Sequence, residues 1–282
     1  MSGKRIVYLV LGCLLLLGGG LRFYGLDWGT DPRTGAFHPF HPDETTLVES
    51  AAFVGTDLRQ IKTSYGKAPI YLLFAAVRTA GPIFGISPFN PDDTASVRFT
   101  HLAGRALCAL MGTLTVGLVF CIGRFLGGVW AGLAGAGLLC FCAGHIQQSH
   151  YYTVDPALSF WVALGIYLML KMPSDRKGLY LACGVVCGLA AGTRLVGVWL
   201  GLPFVVAHLF EGDGQVGFRR LATPQVWVFL VAAAVVTLAC EPFLLLDPEH
   251  FFSTDDPRRF MPSMQVARGE TVRIWTLYDF ST

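Results

Sequence analysis

Apolar runs about as long as a membrane-crossing helix recur along this chain, and such a helix needs about 20 consecutive, largely apolar residues. The runs lie at 6–24, 100–122, 129–147, 156–172, 178–210 and 225–246. Charged residues make up only 14% of the sequence, whereas soluble domains carry about 25%. The pattern predicts an all-α integral membrane protein. In a membrane, lipid covers the apolar surface, so no soluble core has to bury it.

The run 178–210 is too long for one crossing. Its 33 residues, at about 1.5 Å per residue, exceed a hydrocarbon core of roughly 30 Å. Arg194 lies in its middle, and a central Arg costs about 2.5–3.5 kcal/mol on insertion scales. The sequence therefore predicts two helices, 178–192 and 195–210, with Arg194 at the turn between them.

The positive charges of the short loops indicate on which side of the membrane each loop lies, because cytoplasmic loops are rich in Lys and Arg. These residues are Lys4, Arg5, Arg124, Lys171, Arg176, Lys177, Arg219 and Arg220. Seven crossings place all of them inside, provided that the run 68–86 lies along the membrane surface. The loop 25–98, with its interfacial helices, and the stretch 247–282 are then outside. We predict one transmembrane module over 1–282, with no soluble domain.

This topology brings several polar residues, distant in sequence, to the outer face. The first is the motif His41-Pro42-Asp43-Glu44. Pro at the first helical position and acidic residues in the first turn are typical of a helix start. One interpretation is therefore that the two carboxylates only stabilise the start of a helix. The alternative is that Asp43, at the membrane surface, accepts a proton as a general base.

Four more outer residues allow both a structural and a functional interpretation. Asp155 before Pro156 is either a helix cap or part of the same site as Asp43. Lys67 is either a lysine reaching the headgroup level or a phosphate contact. Arg194 favours function, since a charge inside an apolar run is expensive. Glu241 closes the last helix and is a candidate to line the cavity.

The sequence also limits cofactors and partners. His38-x2-His41 with Asp43 leaves a divalent metal open, and the candidate ligands are His41, Asp43 and Asp155. No other cofactor is indicated, since no Walker, dinucleotide-binding or serine-hydrolase motif occurs. A net charge of +2, with scattered basic residues, argues against nucleic acid as a partner.

The polar motifs, in their order, resemble those of the membrane-embedded GT-C glycosyltransferases, in the branch of protein O-mannosyltransferases and aminoarabinose transferases. The matching segments are His41-Pro42-Asp43-Glu44, Tyr65-Gly66-Lys67-Ala68-Pro69, an Arg opening the next helix (Arg98 or Arg105), Tyr152-Thr153-Val154-Asp155-Pro156 and Gly188-Leu189-Ala190-Ala191-Gly192-Thr193-Arg194. Together they cover almost the whole chain. Members of this family usually continue beyond the seventh helix, so we expect this chain to lack the usual C-terminal region.

The resemblance implies an inverting transferase that takes a sugar from a polyprenyl- or dolichyl-phosphate donor on the outer face of a bacterial or archaeal plasma membrane. Asp43 would be the catalytic carboxylate, and Lys67 and Arg194 would hold the donor phosphate. The other implied substrate-binding residues are Glu44, Tyr65, Tyr152, Asp155 and Glu241. The acceptor would be a protein, a glycolipid or a glycan.

Two rival interpretations remain open. A membrane transporter would place Arg194 and Asp155 in a transport path, although the halves of the chain show no inverted repeat. A non-catalytic membrane remnant of a longer transferase would keep the fold without the chemistry. The remnant predicts that replacing Asp43 with Asn has no effect, whereas the transferase requires Asp43.

Overall fold

The computed structural model describes residues 3–61, 65–172, 177–210 and 221–254, together with Gln265 and Arg268. Its α-helices are α1 (Gly3–Phe23), α2 (Pro42–Ala52), α3 (Ala68–Phe84), α4 (Thr94–Cys140), α5 (Ala143–Ser149), α6 (Val154–Met169), α7 (Lys177–Thr193), α8 (Gly201–Leu209), α9 (Pro224–Cys240), α10 (Phe243–Leu246) and α11 (Pro248–Phe252). Short 3₁₀ helices cover Leu58–Gln60 and Leu195–Leu200. In this part of the chain, β pairing is limited to a single isolated bridge. The predicted all-α class is therefore confirmed.

Helix α4 is two antiparallel helices joined by a tight turn. Gly127 and Gly128 leave the helical conformation, and Gly128 has φ of 80°, which favours glycine. Beyond the turn the two halves touch, since a Cβ on Gly132 would lie 2.6 Å from the carbonyl oxygen of Phe120. The second half ends at Cys140, short of the predicted end at 147, and after a break α5 begins at Ala143.

The apolar run 178–210 is also divided. Helix α7 ends at Thr193, and Arg194 is extended, with φ of −153° and ψ of 135°. The chain then turns back through the 3₁₀ helix into α8. Near the far end of this hairpin, the Tyr180 hydroxyl lies 2.8 Å from His208 Nδ1. The two segments are therefore antiparallel and meet at Arg194.

Helices α7 and α9 pack closely along a stripe of glycines. Gly184, Gly188 and Gly192 recur at every fourth position of α7, which places them on one helix face. A Cβ on Gly188 would lie 2.6 Å from Val236 Cβ, and one on Gly192 would lie 2.5 Å from Cys240 Cβ. Small residues at this spacing let membrane helices approach each other. Because contacts advance in the same direction along both helices, α7 and α9 are parallel.

Helix α9 ends at Cys240, before the predicted end at 246. Pro242 follows, and a proline inside a helix removes a hydrogen bond and clashes with the preceding turn. The chain continues through the short helices α10 and α11. Most of the predicted outer stretch 247–282, and the predicted cytoplasmic residues Arg176, Arg219 and Arg220, lie outside the described residues.

Several polar residues at the helix ends lie together at one end of the bundle. Lys67 precedes α3, Asp155 lies in the first turn of α6, Arg194 follows α7, and Glu241 follows α9. Contacts described below join these residues to one another and to Asp43 in α2. We call this end of the bundle, marked by these five residues, the polar end.

Among the described residues, two helices are long and apolar enough to cross a membrane, Lys4–Phe23 and Thr94–Cys140, the second of which contains the turn at Gly127 and Gly128. A third results if the bent pair Ala143–Ser149 and Val154–Met169 is counted as one span. The other apolar helices, Ala68–Phe84, Lys177–Thr193, Leu195–Leu209 and Pro224–Cys240, are shorter. The apolar helices support an integral membrane protein.

Candidate active site

The start of α2 presents Asp43 at the polar end. His41 is the N-cap residue, and its Nδ1 accepts the Asp43 backbone N–H at 3.2 Å. Pro42 occupies the first helical position, where its missing N–H costs no hydrogen bond. The capping role thus belongs to His41, and the Asp43 carboxylate remains available for other contacts. Its side chain is 26% exposed.

The Tyr65 hydroxyl donates a hydrogen bond to Asp43 Oδ2 at 3.1 Å. Burial, and then the neighbouring charge of Asp43, raise the pKa of Tyr65 to about 12. Tyr65 is therefore protonated near neutral pH and acts as a donor. Its hydrogen bond fixes the orientation of the Asp43 carboxylate.

Arg194 lies on the other side of Tyr65. Its guanidinium carbon is 5.7 Å from the centre of the Tyr65 ring, within the range of a cation–π contact. Arg194 Nη1 donates to Asp155 Oδ1 at 3.0 Å, and these side chains are 45% and 47% exposed. Asp43, Tyr65, Arg194 and Asp155 thus form a continuous row, which we call the acidic–basic row.

The segment that carries Tyr65 is held against the end of α7 by backbone contacts. The Gly66 N–H donates to the Thr193 carbonyl oxygen at 3.1 Å. A Cβ on Gly66 would overlap the Gly192 carbonyl oxygen, so only glycine fits at this position. The close approach places Tyr65 beside Arg194.

Lys67 lies next to the row but is buried. Its Nζ donates to Glu241 Oε2, and both side chains are almost fully enclosed. Nζ also lies 5.8 Å from the centre of the Phe243 ring. A buried ion pair of this kind is desolvated and resists separation. Lys67 therefore joins α3 to the end of α9 at the polar end.

Two of the predicted substrate-binding residues, Glu44 and Tyr152, point away from the row into the protein. Arg105 Nε and Nη2 donate to the two Glu44 carboxylate oxygens at 2.7 and 2.9 Å, and the Tyr152 N–H donates to Oε1 at 3.0 Å. The Tyr152 hydroxyl donates to the Pro69 carbonyl oxygen at 2.7 Å. Glu44 and Arg105 are 0% exposed.

Arg105 also ties the loop after α1 to this buried pair. Its Nη1 donates to the carbonyl oxygens of Leu26 and Trp28 at 2.7 and 2.8 Å. The guanidinium carbon lies 5.1 Å from the centre of the Trp28 ring and 4.7 Å from that of Phe37. Of the two arginines that the resemblance offered, Arg105 is thus the one that fixes Glu44, and through it α2.

The candidate metal ligands do not assemble. Among the described residues, no group of three His, Cys, Asp or Glu side chains is arranged to hold a metal ion. His41 Nδ1 accepts the Asp43 N–H, and Asp155 is paired with Arg194. The residues present do not fit a three-ligand site, and we derive no chemical step through a metal.

Sequence reasoning overlooked Arg22. This residue lies near the end of α1 and is 0% exposed. It donates to the Gly18 and Leu139 carbonyl oxygens at 2.9 and 3.0 Å and contacts His145 Nδ1 at 2.9 Å. A cation at the C-terminal end of α4 complements the helix dipole. The rule that singled out Arg194, a charge in an apolar run, applies equally to Arg22.

Comparison with known proteins shows the family and the fold of the chain. The profile of the dolichyl-phosphate-mannose-protein mannosyltransferase family matches residues 86–247, more than half of the chain. No protein of curated function matches the sequence.

Solved structures share the fold at low sequence identity. The Saccharomyces cerevisiae protein O-mannosyltransferase Pmt1-Pmt2 complex, bound to the sugar donor, superposes with a TM-score of 0.62 and 21% identity over 87% of this chain and 34% of the other. The Archaeoglobus fulgidus oligosaccharyltransferase AglB, in complex with an inhibitory peptide and a dolichol-phosphate, gives 0.53 and 16% over 95% and 36%. An Archaeoglobus fulgidus oligosaccharyltransferase in the apo form gives a TM-score of 0.52 and 16% identity over 96% of this chain and 37% of the other. The chain spans little more than a third of the length of these proteins.

Proposed function

Since this chain belongs to the dolichyl-phosphate-mannose-protein mannosyltransferase family, with the GT-C fold, we propose that it carries the catalytic and donor-binding part of a membrane glycosyltransferase. The reaction moves a sugar from a polyprenyl or dolichyl phosphate to a hydroxyl group of an acceptor. The observation that carries the proposal is the acidic–basic row, which puts a partly exposed carboxylate, Asp43, beside an exposed guanidinium, Arg194. The family favours a protein acceptor, and a glycolipid or glycan remains an alternative.

Asp43 acts as the general base. The acceptor hydroxyl oxygen forms a bond to the anomeric carbon of the sugar, and its proton passes to the Asp43 carboxylate. The bond from the anomeric carbon to the phosphate oxygen breaks, and its electron pair leaves with the lipid phosphate. Attack opposite to the leaving group inverts the configuration of that carbon. A positioned base of this kind contributes about 10²–10⁴-fold to the rate.

Arg194 supplies the main contact to the donor phosphate. Its guanidinium has five N–H donors in a planar fork that suits phosphate, and Asp155 accepts from one of them. Both side chains are about half exposed, so the phosphate can approach without separating a buried pair. Asp155 keeps Arg194 in place before the donor binds. Stabilising the leaving phosphate in this way lowers the barrier.

Lys67 contributes positive charge to the phosphate site from a buried position. Its ammonium group is already paired with Glu241, so its effect on the phosphate is longer in range than that of Arg194. Glu241, Glu44 and Tyr152 act as positioning residues, because their polar atoms are bound to Lys67, to Arg105 and to the Pro69 carbonyl oxygen. Tyr65 holds Asp43 and separates the base from the phosphate-binding arginine.

We also propose seven membrane crossings, with the polar end on the outer face of the plasma membrane. Support comes from the direction of the helices, because the halves of α4 are antiparallel, α7 and α8 are antiparallel, and α7 and α9 are parallel. These relations bring the start of α6 and the ends of α7 and α9 to one side, together with α2. The positive charges at Lys4, Arg5 and Arg124 lie in segments directed to the other side.

Cysteine labelling tests this orientation. In a variant whose exposed Cys13 and Cys142 are serine, Asp57→Cys and Arg124→Cys introduce thiols at opposite ends of the bundle. A membrane-impermeant maleimide added to intact cells is expected to label position 57, and to label position 124 only after permeabilisation. Labelling of both positions from outside would contradict the proposed topology.

The transfer reaction itself is tested with membranes that contain the chain, a radiolabelled dolichyl-phosphate mannose donor and an acceptor peptide rich in Ser and Thr. Incorporation of radiolabelled mannose into the peptide is the expected result, and membranes with the Asp43→Asn variant provide the negative control. Label that appears only in lipid or glycan fractions would identify another acceptor class. Equal counts in the wild-type and variant membranes would favour a non-catalytic remnant.

Replacing Arg194 with Gln is expected to raise the KM for the donor about tenfold, equivalent to a loss of ~1.4 kcal/mol. Arg194→Lys keeps the charge but loses the planar fork, so its KM should be intermediate. Arg59, which pairs with Asp247 at 3.3 Å, provides the matched control, and Arg59→Gln should leave the KM unchanged. Initial rates at varied donor concentration measure these values, and an unchanged KM for Arg194→Gln would remove Arg194 from the phosphate site.

A further inference from the structure

A small pocket lies at the bend between α5 and α6, beside the acidic–basic row. Its volume is about 250 Å³, below the roughly 300–1,000 Å³ of pockets for drug-sized ligands. Gly144 and Gln148 belong to its wall on α5, and Asp155 and Ser159 belong to its wall on α6. The members of each pair are four positions apart, so they lie on one helix face. Because Asp155 is paired with Arg194, the pocket adjoins the proposed phosphate site.

The bend itself favours a ligand site. The helices Ala143–Ser149 and Val154–Met169 are together apolar enough to form one membrane span, but they are bent by 116° at the break between them. Non-helical backbone at the depth of a membrane is tolerated where it is buried in protein or lines a cavity. Interrupted helices of this kind form the substrate sites of many transporters. The break therefore has a physical reason if a polar ligand occupies the pocket.

The pocket offers uncharged polar groups that are available to a ligand. Gln148 and Ser159 are exposed, and within the described residues neither side chain forms a hydrogen bond. Hydroxyl groups on other helices behave differently, since Thr79 and Thr113 donate to carbonyl oxygens four positions earlier, both at 2.8 Å. Ser159 lacks this local bond, so its hydroxyl is free to donate to a ligand or to accept from it. The Gln148 amide likewise offers two donor hydrogens and an acceptor oxygen.

The charges at the pocket are already compensated within the protein. Asp155 Oδ1 accepts from Arg194 Nη1 at 3.0 Å, and Oδ2 forms no hydrogen bond within the described part of the chain. His145, which also lines the pocket, has its Nδ1 at 2.9 Å from Arg22 Nη2. A guanidinium only donates, so Nδ1 accepts and the His145 ring is neutral. A neutral ligand with several hydroxyl groups therefore fits this lining better than an ionised one.

We propose that this pocket binds the sugar of the lipid-phosphate donor as a neutral hexosyl group, an inference that rests on the proposed function. The sugar is bonded directly to the phosphate, and the proposed phosphate contact, Arg194, is paired with Asp155 in the pocket wall. A phosphate at Arg194 therefore brings its sugar to this pocket. Gln148, Ser159 and Asp155 Oδ2 form hydrogen bonds with the sugar hydroxyl groups. Gln148 and Ser159 thus determine specificity for the donor and take no part in proton transfer.

Binding of two lipids to the purified chain in nanodiscs separates recognition of the sugar from recognition of the phosphate. Dolichyl-phosphate mannose carries both groups, whereas dolichyl phosphate carries the phosphate alone, so the wild-type chain should bind the mannosylated lipid more tightly. Gln148→Met keeps the length of the side chain but removes the amide. It should weaken binding of the mannosylated lipid about three- to tenfold, the usual effect of one hydrogen bond. Its affinity for dolichyl phosphate should not change.

A steric variant tests the position of the sugar without altering any hydrogen-bonding group. A Cβ on Gly144 would meet no heavy atom within 4 Å, so the fold accommodates Gly144→Leu, whose side chain then fills the pocket. This variant should lose the preference for the mannosylated lipid and still bind dolichyl phosphate. Gly178 is the matched control, because it is also the second residue of its helix, is exposed and has equally open surroundings. Gly178→Leu should bind both lipids as the wild-type chain does.

The same measurements distinguish failure of the sugar site from failure of the proposed function. Arg194→Gln should weaken binding of both lipids, and a wild-type chain that binds neither lipid would contradict the proposed function and the sugar site together. Equal wild-type affinity for the two lipids, or an unchanged preference in Gln148→Met and Gly144→Leu, would overturn the sugar site alone. Dolichyl phosphate that carries glucuronic acid, an ionised sugar of similar size, should bind more weakly than the mannosylated lipid. Tighter binding of that lipid would overturn the assignment of a neutral sugar.

Discussion

Replacing Asp43 with Asn is expected to lower the turnover of sugar transfer about 10²–10⁴-fold, the usual contribution of a positioned general base. Asparagine has nearly the same shape and can still accept the hydrogen bond from Tyr65, which lies 3.1 Å from Asp43 Oδ2. It does not accept a proton at neutral pH. The fold and the donor KM should therefore change little, while kcat falls. Single-turnover transfer from dolichyl-phosphate mannose measures this difference.

Two further variants separate proton transfer from local geometry. Tyr65→Phe removes the hydrogen bond to a charged acceptor and should lower kcat about tenfold, since such bonds contribute roughly 1.5–3 kcal/mol. Asp92→Asn changes an exposed carboxylate ahead of α4 and should leave turnover unchanged. If Asp43→Asn retained full turnover, Asp43 would not be the catalytic base.

Arg105→Ala is expected to destabilise the protein by about 3–5 kcal/mol, the cost of leaving one member of a buried ion pair uncompensated. Arg105 and Glu44 are both 0% exposed, so solvent cannot replace the lost partner. The variant also removes the donors to the Leu26 and Trp28 carbonyl oxygens. Loss of this anchor should loosen α2 and displace Asp43. Denaturant unfolding in detergent, with the midpoint compared between variants, measures the change.

Arg59→Ala is the matched control for this prediction. Its ion pair with Asp247 has side chains that are 64% and 28% exposed, and exposed pairs contribute about 0–1 kcal/mol. The double variant Glu44→Leu with Arg105→Met should recover part of the stability, because it removes both charges. An Arg105→Ala midpoint equal to that of Arg59→Ala would show that the buried pair does not hold the bundle together.

The helical framework follows from local properties of the chain. Long apolar runs, interrupted by charged or glycine-rich segments, determine where helices form, since a polar group in lipid is expensive. The break at Arg194 follows from run length and one central charge. The fold family follows from a set of short motifs whose order spans the chain, and the family match over 86–247 confirms that resemblance. The exact helix ends at Cys140 and Cys240 did not follow from the apolar runs, which extend beyond both residues. At Cys240 the nearby Pro242 accounts for the end.

The pairing of polar residues was decided by the tertiary structure alone. Sequence reasoning treated Asp43 and Glu44 as neighbours with related roles, but successive helix positions are about 100° apart, and Glu44 turns inward to Arg105. It also assigned Lys67 and Arg194 equal parts at a phosphate. Burial now distinguishes them, because Lys67 is enclosed with Glu241 while Arg194 remains accessible beside Asp155.

The sequence by itself determined that this chain is a helical membrane protein of the GT-C type with polar residues near the helix ends, because hydrophobicity and short motifs are local properties. Only the tertiary structure decided which carboxylate meets which cation, and how much water reaches each pair. Those choices depend on contacts between residues as distant in sequence as Lys67 and Glu241, or Arg22 and Leu139, and no local pattern encodes such contacts.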